Sequence, residues 1–273
     1  MAILRMFVLL ATLVRLLAVA PFDGRDAASR RSRACARLTA ALGVRVCVTG
    51  EPAPAPALLA ANHVSWIDVL ALRAVADVCF LAKSEVSRWP VIGRAARTRG
   101  AVFVERARKR SIPPANEAMA ARLAQGRLML MFPQGTTTDA LAPPRFLSSH
   151  FGCSRDFLAQ NMTAPHLIVQ PVAVFYDSPV APWLGEQTLA SHLWRVLREG
   201  AMTCHIGFGE PFALERGCDR KEASREAALR VEEMLGEMRA AHSWTARRPS
   251  RPAAPDEAGG RRPRTSHASS SPS

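Results

Sequence analysis

The sequence predicts an α/β fold, and three observations carry that prediction. Short apolar runs that read as buried strands alternate with longer stretches of helical character. Turn-forming Pro and Gly residues punctuate those runs, as at 51–57 and 133–135. The chain has 273 residues, 48% of them hydrophobic, enough for one substantial core, and no internal repeat divides it.

Residues 26–42 form a basic, alanine-rich helical region, and VRVCVTG (44–50) alternates like a strand. EPAPAPA (51–57) continues neither, because proline fixes φ and removes a donor. ALLAAN (57–62) reads as a short buried strand and WIDVLALRAV (66–75) as a helix. DVCFLAK (77–83) is the next strand, followed by the surface segment SEVSRWPVIGRAARTRG (84–100) and then AVFVER (101–106), again a strand. ANEAMAARLAQG (115–126) is helical, with Gly126 as its terminus. RLMLMFPQG (127–135) is a strand stopped by Pro133 and Gly135. HLIVQPVAVFY (166–176) and MTCHIGFGEPF (202–212) supply further strands, and 218–242 the last helix.

The two ends differ from this body. In MAILRMFVLLATLVRLLAVA only Arg5 and Arg15 are charged, about 80° apart around a helix. One face can be wet while Ile3, Leu10, Leu13 and Leu17 contact lipid. The expectation is a retained membrane-associated helix over 1–25, lying in the interface or crossing shallowly. A signal peptide is disfavoured because Arg15 interrupts the apolar region, and a buried soluble helix is the remaining reading. Residues 244–273 hold six Arg against one Asp and one Glu among Pro, Ser, Ala and Gly, so a disordered basic tail is expected, leaving 26–243 as the main domain. The formal charge of +13 suits nucleic acid, anionic lipid or an acidic carrier protein, and the apolar N-terminus favours lipid. Six cysteines without a CxxC pair read as reduced, mostly buried thiols.

Three clusters carry candidate chemistry. His63 and Asp68 stand five positions apart, a spacing that does not align them on one uninterrupted helix. They can meet if His63 precedes the helix and Asp68 occupies its first turns. The carboxylate would then fix the imidazole tautomer, freeing the other nitrogen to take a proton from a substrate hydroxyl. The competing reading makes Asp68 a helix cap and His63 a satisfied polar group, with Ser65 as a possible N-cap. In VFVERARKR, Arg106 is placed to enter a strand-end cleft and clamp phosphate or carboxylate, while Arg108, Lys109 and Arg110 read as a solvated, membrane-facing or carrier-facing patch. In MFPQGTTTD a sharp turn can present backbone N–H groups and Thr136–138 to a polar substrate, although the glycine spacing and lysine of a phosphate-binding P-loop are missing. No zinc-type spacing, serine nucleophile elbow or redox-cofactor motif is present in the sequence.

In order, NHVSWID, VFVER, FPQGTTTD and VQPVAV resemble the four motifs of the bacterial glycerolipid acyltransferase family over about residues 44–212. The resemblance implies that family's α/β fold, with a central mixed sheet flanked by helices. It implies His63 as general base on an acceptor hydroxyl with Asp68 as partner, and attack on an acyl-CoA or acyl carrier protein thioester, with no other cofactor. It gives Arg106 the acceptor head group, and Phe132, Pro133, Gln134, Gly135 and Thr136 the substrate-binding turn. The usual third motif is F-P-E-G-T-R-S, so Gln134 replaces a Glu and Thr137 an Arg. TTTD with FLSSHFG (146–152) looks more like the lyso-ornithine lipid O-acyltransferase branch, and Trp89, Pro90 and Gly93 would shape a turn beside the acyl tunnel. Lysophosphatidic acid is the second acceptor, and an inactive scaffold of the same fold the non-enzymatic reading. The implied location is the cytoplasmic side of a bacterial inner membrane, against an anionic lipid surface and an acyl carrier protein, with no nucleic acid.

Overall fold

The computed structural model describes residues 3, 5–8, 11–12, 27–89, 92–97, 100–105 and 108–242. The expected tail at 244–273 lies outside them, as does most of the expected N-terminal helix, whose described residues are helical. Among the described residues no helix is long and apolar enough to cross a membrane.

The elements in chain order are α1 (Ala27–Ala41), β1 (Val44–Thr49), β2 (Ala57–Ala61), α2 (Ile67–Val75), β3 (Val78–Lys83), α3 (Ile92–Arg97) and β4 (Val102–Val104). They continue with α4 (Ile112–Ala124), β5 (Leu128–Met131), α5 (Cys153–Gln160), β6 (His166–Tyr176), α6 (Leu189–Glu199), β7 (Met202–Phe208), β8 (Phe212–Glu215) and α7 (Arg220–Ala241). The strands form one sheet in the order β1-β7-β6-β2-β5-β3-β4, with β8 paired to β6. β2 to β6 run parallel to their neighbours among themselves; β7 is antiparallel to β6, and β1 is parallel to β7. The carboxyl ends of β2 to β6 therefore share one edge of the sheet with the amino ends of β1 and β7. Ligand sites in open α/β sheets collect at such carboxyl ends.

All five residues of β2 are buried because both faces of this central strand are covered. Leu58 and Ala60 pack with Cys79, Met129, Met131 and Val169 beneath Met119 and Leu123 of α4. Leu59 aligns with Leu130 on the opposite face, where both are fully buried. Each such side chain contributes about 1.5–3 kcal/mol through burial. Asn62 extends the β2–β6 pairing one residue further: its amide donates to the Val174 carbonyl at 2.8 Å and accepts from the Val174 N–H at 2.7 Å. Buried Gln170 holds the proline-rich segment, accepting from Ala53 N–H at 2.7 Å and donating to the Glu51 carbonyl at 2.9 Å.

Several boundaries differ from the sequence reading. The strand expected over 202–212 is two strands, interrupted at Gly209 and Pro211, and both pair with β6. α4 begins at Ile112, since Pro113 and Pro114 fit a first turn whose N–H groups need no helical partner. Gly93 lies inside α3, where a Cβ would come within 2.4 Å of the Ser87 carbonyl oxygen. All six cysteines are free, four of them buried, with Cys47 and Cys218 exposed.

Candidate active site

His63 leaves the carboxyl end of β2, and Asp68 sits in the first turn of α2. This offset lets the side chains meet, with His63 Nδ1 2.8 Å from Asp68 Oδ2. The same oxygen accepts the backbone N–H groups of Val64 at 2.7 Å and Ser65 at 2.9 Å. Asp68 Oδ1 accepts the phenolic O–H of Tyr176, from the end of β6, at 2.8 Å. The fully buried carboxylate is thus held on both oxygens by four donors. Burial and then the Asp68 charge push the Tyr176 phenol well above its ordinary pKa, so it remains a donor. The imidazole-orienting reading holds, while the capping reading does not: Asp68 accepts N–H groups of the segment before α2, and the helix start has no side-chain cap. Ser65 is not the N-cap; Trp66 occupies that position without a side-chain cap.

With Nδ1–H committed to Asp68, Nε2 is the unprotonated nitrogen of the neutral imidazole. The His63 side chain keeps 15% exposure, while Asp68 has none, so the pair is open at the imidazole end. Phe132, where β5 ends, stacks on the imidazole at 4.0 Å between centroids and 15° between planes. Gln134 Oε1 accepts the His63 backbone N–H at 2.7 Å, and its amide donates to Thr138 Oγ1 at 3.4 Å. Thr138 N–H closes the loop on the His63 carbonyl at 2.8 Å. Gly135 supplies the positive φ of 76° that the turn requires, and the Pro133 carbonyl accepts from Leu147 N–H at 2.9 Å. Thr136 is exposed at the tip. Thr137 turns away from the imidazole and donates to the Trp183 carbonyl.

A third strand exit completes the edge. Trp183 N–H donates to the Val64 carbonyl at 3.0 Å, tying the chain after β6 to the chain after β2. Trp66 donates its indole N–H to Nδ1 of fully buried His192 on α6 at 3.0 Å, and His192 Nε2 lies 3.2 Å from the Pro182 carbonyl. That pattern requires neutral His192, in keeping with burial lowering its pKa.

The structure thus brings His63, Asp68, Phe132, Pro133, Gln134, Gly135 and Thr136 to one edge. Arg106 lies outside the described residues; β4, which precedes it, ends on the same edge. Arg108, Lys109 and Arg110 are exposed. Sequence reasoning missed Tyr176, 108 positions from Asp68, and the whole of α6. A tyrosine ending a long buried strand carries no local mark of its partner. The 3.6-residue spacing of His192, Val196 and Leu197 was the available signal for α6. Among the described residues, no group of three His, Cys, Asp or Glu side chains is placed to hold a metal ion.

An oriented imidazole at an open strand edge, with Ser65 joined to its partner carboxylate through the backbone N–H, is suited to taking a proton from an incoming hydroxyl. Comparison with known proteins identifies the class. Residues 45–175 match the family model described as Acyltransferase. The chain is 40% identical over 231 residues to the lyso-ornithine lipid O-acyltransferase of Rhizobium meliloti strain 1021, covering 79% of each chain. It is 33% identical over 167 residues to the 1-acyl-sn-glycerol-3-phosphate acyltransferase of Neisseria meningitidis serogroup B, covering 58% of this chain and 62% of that one. The crystal structure of the 1-acyl-sn-glycerophosphate acyltransferase of Thermotoga maritima shares the fold, with a TM-score of 0.60, 18% identity, and coverage of 88% of this chain and 98% of that chain. The chain belongs to the acyltransferase family and is an acyl-transferring enzyme.

Proposed function

We propose that this protein transfers a fatty acyl group from a thioester, carried by acyl carrier protein or coenzyme A, to the hydroxyl of lyso-ornithine lipid. The observation that carries the mechanism is the 2.8 Å contact between His63 Nδ1 and an Asp68 carboxylate fixed by three further donors. His63 Nε2 takes the hydroxyl proton as the acceptor oxygen attacks the thioester carbonyl carbon. A new C–O bond forms, the C–S bond breaks, and the imidazolium returns its proton to the leaving thiolate. Asp68 holds the tautomer and stabilises the transient imidazolium. Thr136 and its neighbouring backbone N–H groups, other than those of Gly135 and Thr138, which bond the Phe132 and His63 carbonyls, are the proposed oxyanion and head-group contacts, with Arg106 binding the acceptor head group. Proximity at a lipid surface supplies much of the rate advantage.

The choice of acceptor rests on two supports. The relative of highest identity given above is named for lyso-ornithine lipid. The family's phosphate-suited arginine is replaced by Thr137, whose hydroxyl is engaged by the Trp183 carbonyl. An ornithine head group carries amino and carboxylate functions instead of a phosphate. We place the enzyme at the cytoplasmic face of the inner membrane.

Purified protein offered lyso-ornithine lipid and lysophosphatidic acid with the same labelled acyl thioester should favour the former. Dominant turnover of lysophosphatidic acid would reverse the acceptor assignment, and no turnover of any lysolipid would support a scaffold instead. His63→Ala should remain folded and lose about 10²–10⁴-fold in transfer rate; wild-type turnover would sink the general-base role.

A further inference from the structure

Part of the exposed apolar surface gathers at one edge of the sheet, while Val48, Met162 and Leu229, at 44%, 76% and 67% exposure, lie away from it. Phe7, Leu141, Leu147, Leu184 and Trp194, at 65%, 40%, 57%, 38% and 45% exposure, all lie in segments tied to the edge that holds His63. Leu141 and Leu147 follow β5, and Leu184 follows β6. The N-terminal segment joins them through Arg5, whose guanidinium donates to the Gly200 carbonyl at 2.5 Å. Gly200 precedes β7, whose amino end lies on that edge, and immediately follows α6.

α6 spans the edge between these features. Its early turn meets Trp66 through His192, and its end meets the Arg5 guanidinium at Gly200. His192, Val196 and Leu197 are buried on its inner side. Trp194, Arg195 and Arg198, spaced at i, i+1 and i+4, are all exposed on the outer side. An exposed indole flanked by guanidinium groups combines an interfacial anchor with charge for anionic head groups.

From this we infer that the outer face of α6 seats the enzyme on an anionic lipid bilayer, with Trp194 entering the head-group layer and Arg195 and Arg198 contacting lipid phosphates. The inference rests on the proposed lipid acceptor, because seating this face turns the His63 edge toward the source of that substrate. α6 acts beside the N-terminal segment, with which it is continuous through Arg5 and Gly200.

The test compares full-length wild type, Trp194→Ser and Arg195→Glu/Arg198→Glu in sedimentation with phosphatidylcholine vesicles, with and without phosphatidylglycerol. Each variant is also assayed on a short-chain, water-soluble lyso-ornithine lipid and on the long-chain lipid embedded in vesicles. We expect binding to phosphatidylglycerol vesicles to fall about fivefold for Trp194→Ser and at least about tenfold for the charge reversal. Turnover of the vesicle-embedded acceptor should fall in parallel, while turnover of the soluble acceptor stays within about twofold. Unchanged vesicle binding in both variants overturns the inference, as does equal loss on soluble and embedded acceptors. Loss confined to acyl carrier protein as donor, with acyl-CoA turnover and vesicle binding intact, would assign the face to the carrier and also overturn it. Vesicle binding that falls as expected in a protein acylating no lysolipid would retain the seating face and reject the substrate reading.

Discussion

At the scale of single residues, Asp68 does two jobs with one carboxylate: it holds the chain between β2 and α2 through the Val64 and Ser65 N–H groups, and it orients His63. Asp68→Asn separates them. An asparagine can keep one oxygen toward His63, Val64 and Ser65 and turn its NH₂ toward the Tyr176 hydroxyl, so the fold should survive. Its neutral amide cannot stabilise an imidazolium, so kcat should fall about 10²–10⁴-fold in a steady-state assay, with circular dichroism unchanged. Tyr176→Phe leaves one oxygen of a buried carboxylate without its donor, which costs about 1–3 kcal/mol of stability in urea unfolding. It should lower kcat by about tenfold, equivalent to about 1.4 kcal/mol of barrier, with little change in KM for the thioester. The residues of this network were legible in proportion to their separation. His63 and Asp68 share a local strand-to-helix junction, whereas Tyr176 reaches Asp68 only because β6 pairs beside β2.

At the scale of elements, the turn after β5 works as a clamp on the chain after β2. Gln134 satisfies the His63 N–H, Thr138 satisfies the His63 carbonyl, and Thr137 binds the Trp183 carbonyl. Gln134→Glu retains an acceptor for the His63 N–H, and the Thr138 hydroxyl can donate to it. Activity with the native acceptor should therefore stay within a few-fold, whereas Gln134→Ala should lower both stability and turnover. Thr137→Arg restores the usual motif residue but breaks the tie to Trp183, so it should reduce turnover of every lysolipid in the acceptor assay. A clean gain with lysophosphatidic acid would contradict that account. Elements with a strong period or a breaker at each end were readable from sequence, as β6 and the 51–57 break show. α5 and α6 were passed over because their helical signals lie in mixed, Pro- and Gly-punctuated surroundings. The pairing order of the strands, which brings the three exits together, has no local signature at all.

At the scale of the whole molecule, two histidines on successive elements, α6 and β7, impose one pH dependence on folding. His192 joins α6 to Trp66 only as a neutral ring, since protonating Nδ1 would set two donors against each other. Burial is the main cause of its lowered pKa, and the nearby Arg195 charge also lowers it, against the carbonyls of Val180, Ala181 and Pro182. His205 on β7 packs at 4.0 Å between ring centroids against His242 at the end of α7. Burial and then the His242 charge lower its pKa, partly opposed by Asp177. For both groups the unfolded chain binds more protons than the native chain at pH values between the depressed folded pKa and the unfolded value of about 6.5. Their contribution is therefore complete above about pH 6.5 and is lost as pH falls toward the folded values. Urea midpoints should decline from pH 7.5 to pH 5, a fall that His192→Gln with His205→Gln should reduce. Glutamine at 192 can still accept from the indole and donate to Pro182, but it cannot titrate across this range. An identical decline in the double variant would show that these two histidines do not cause it.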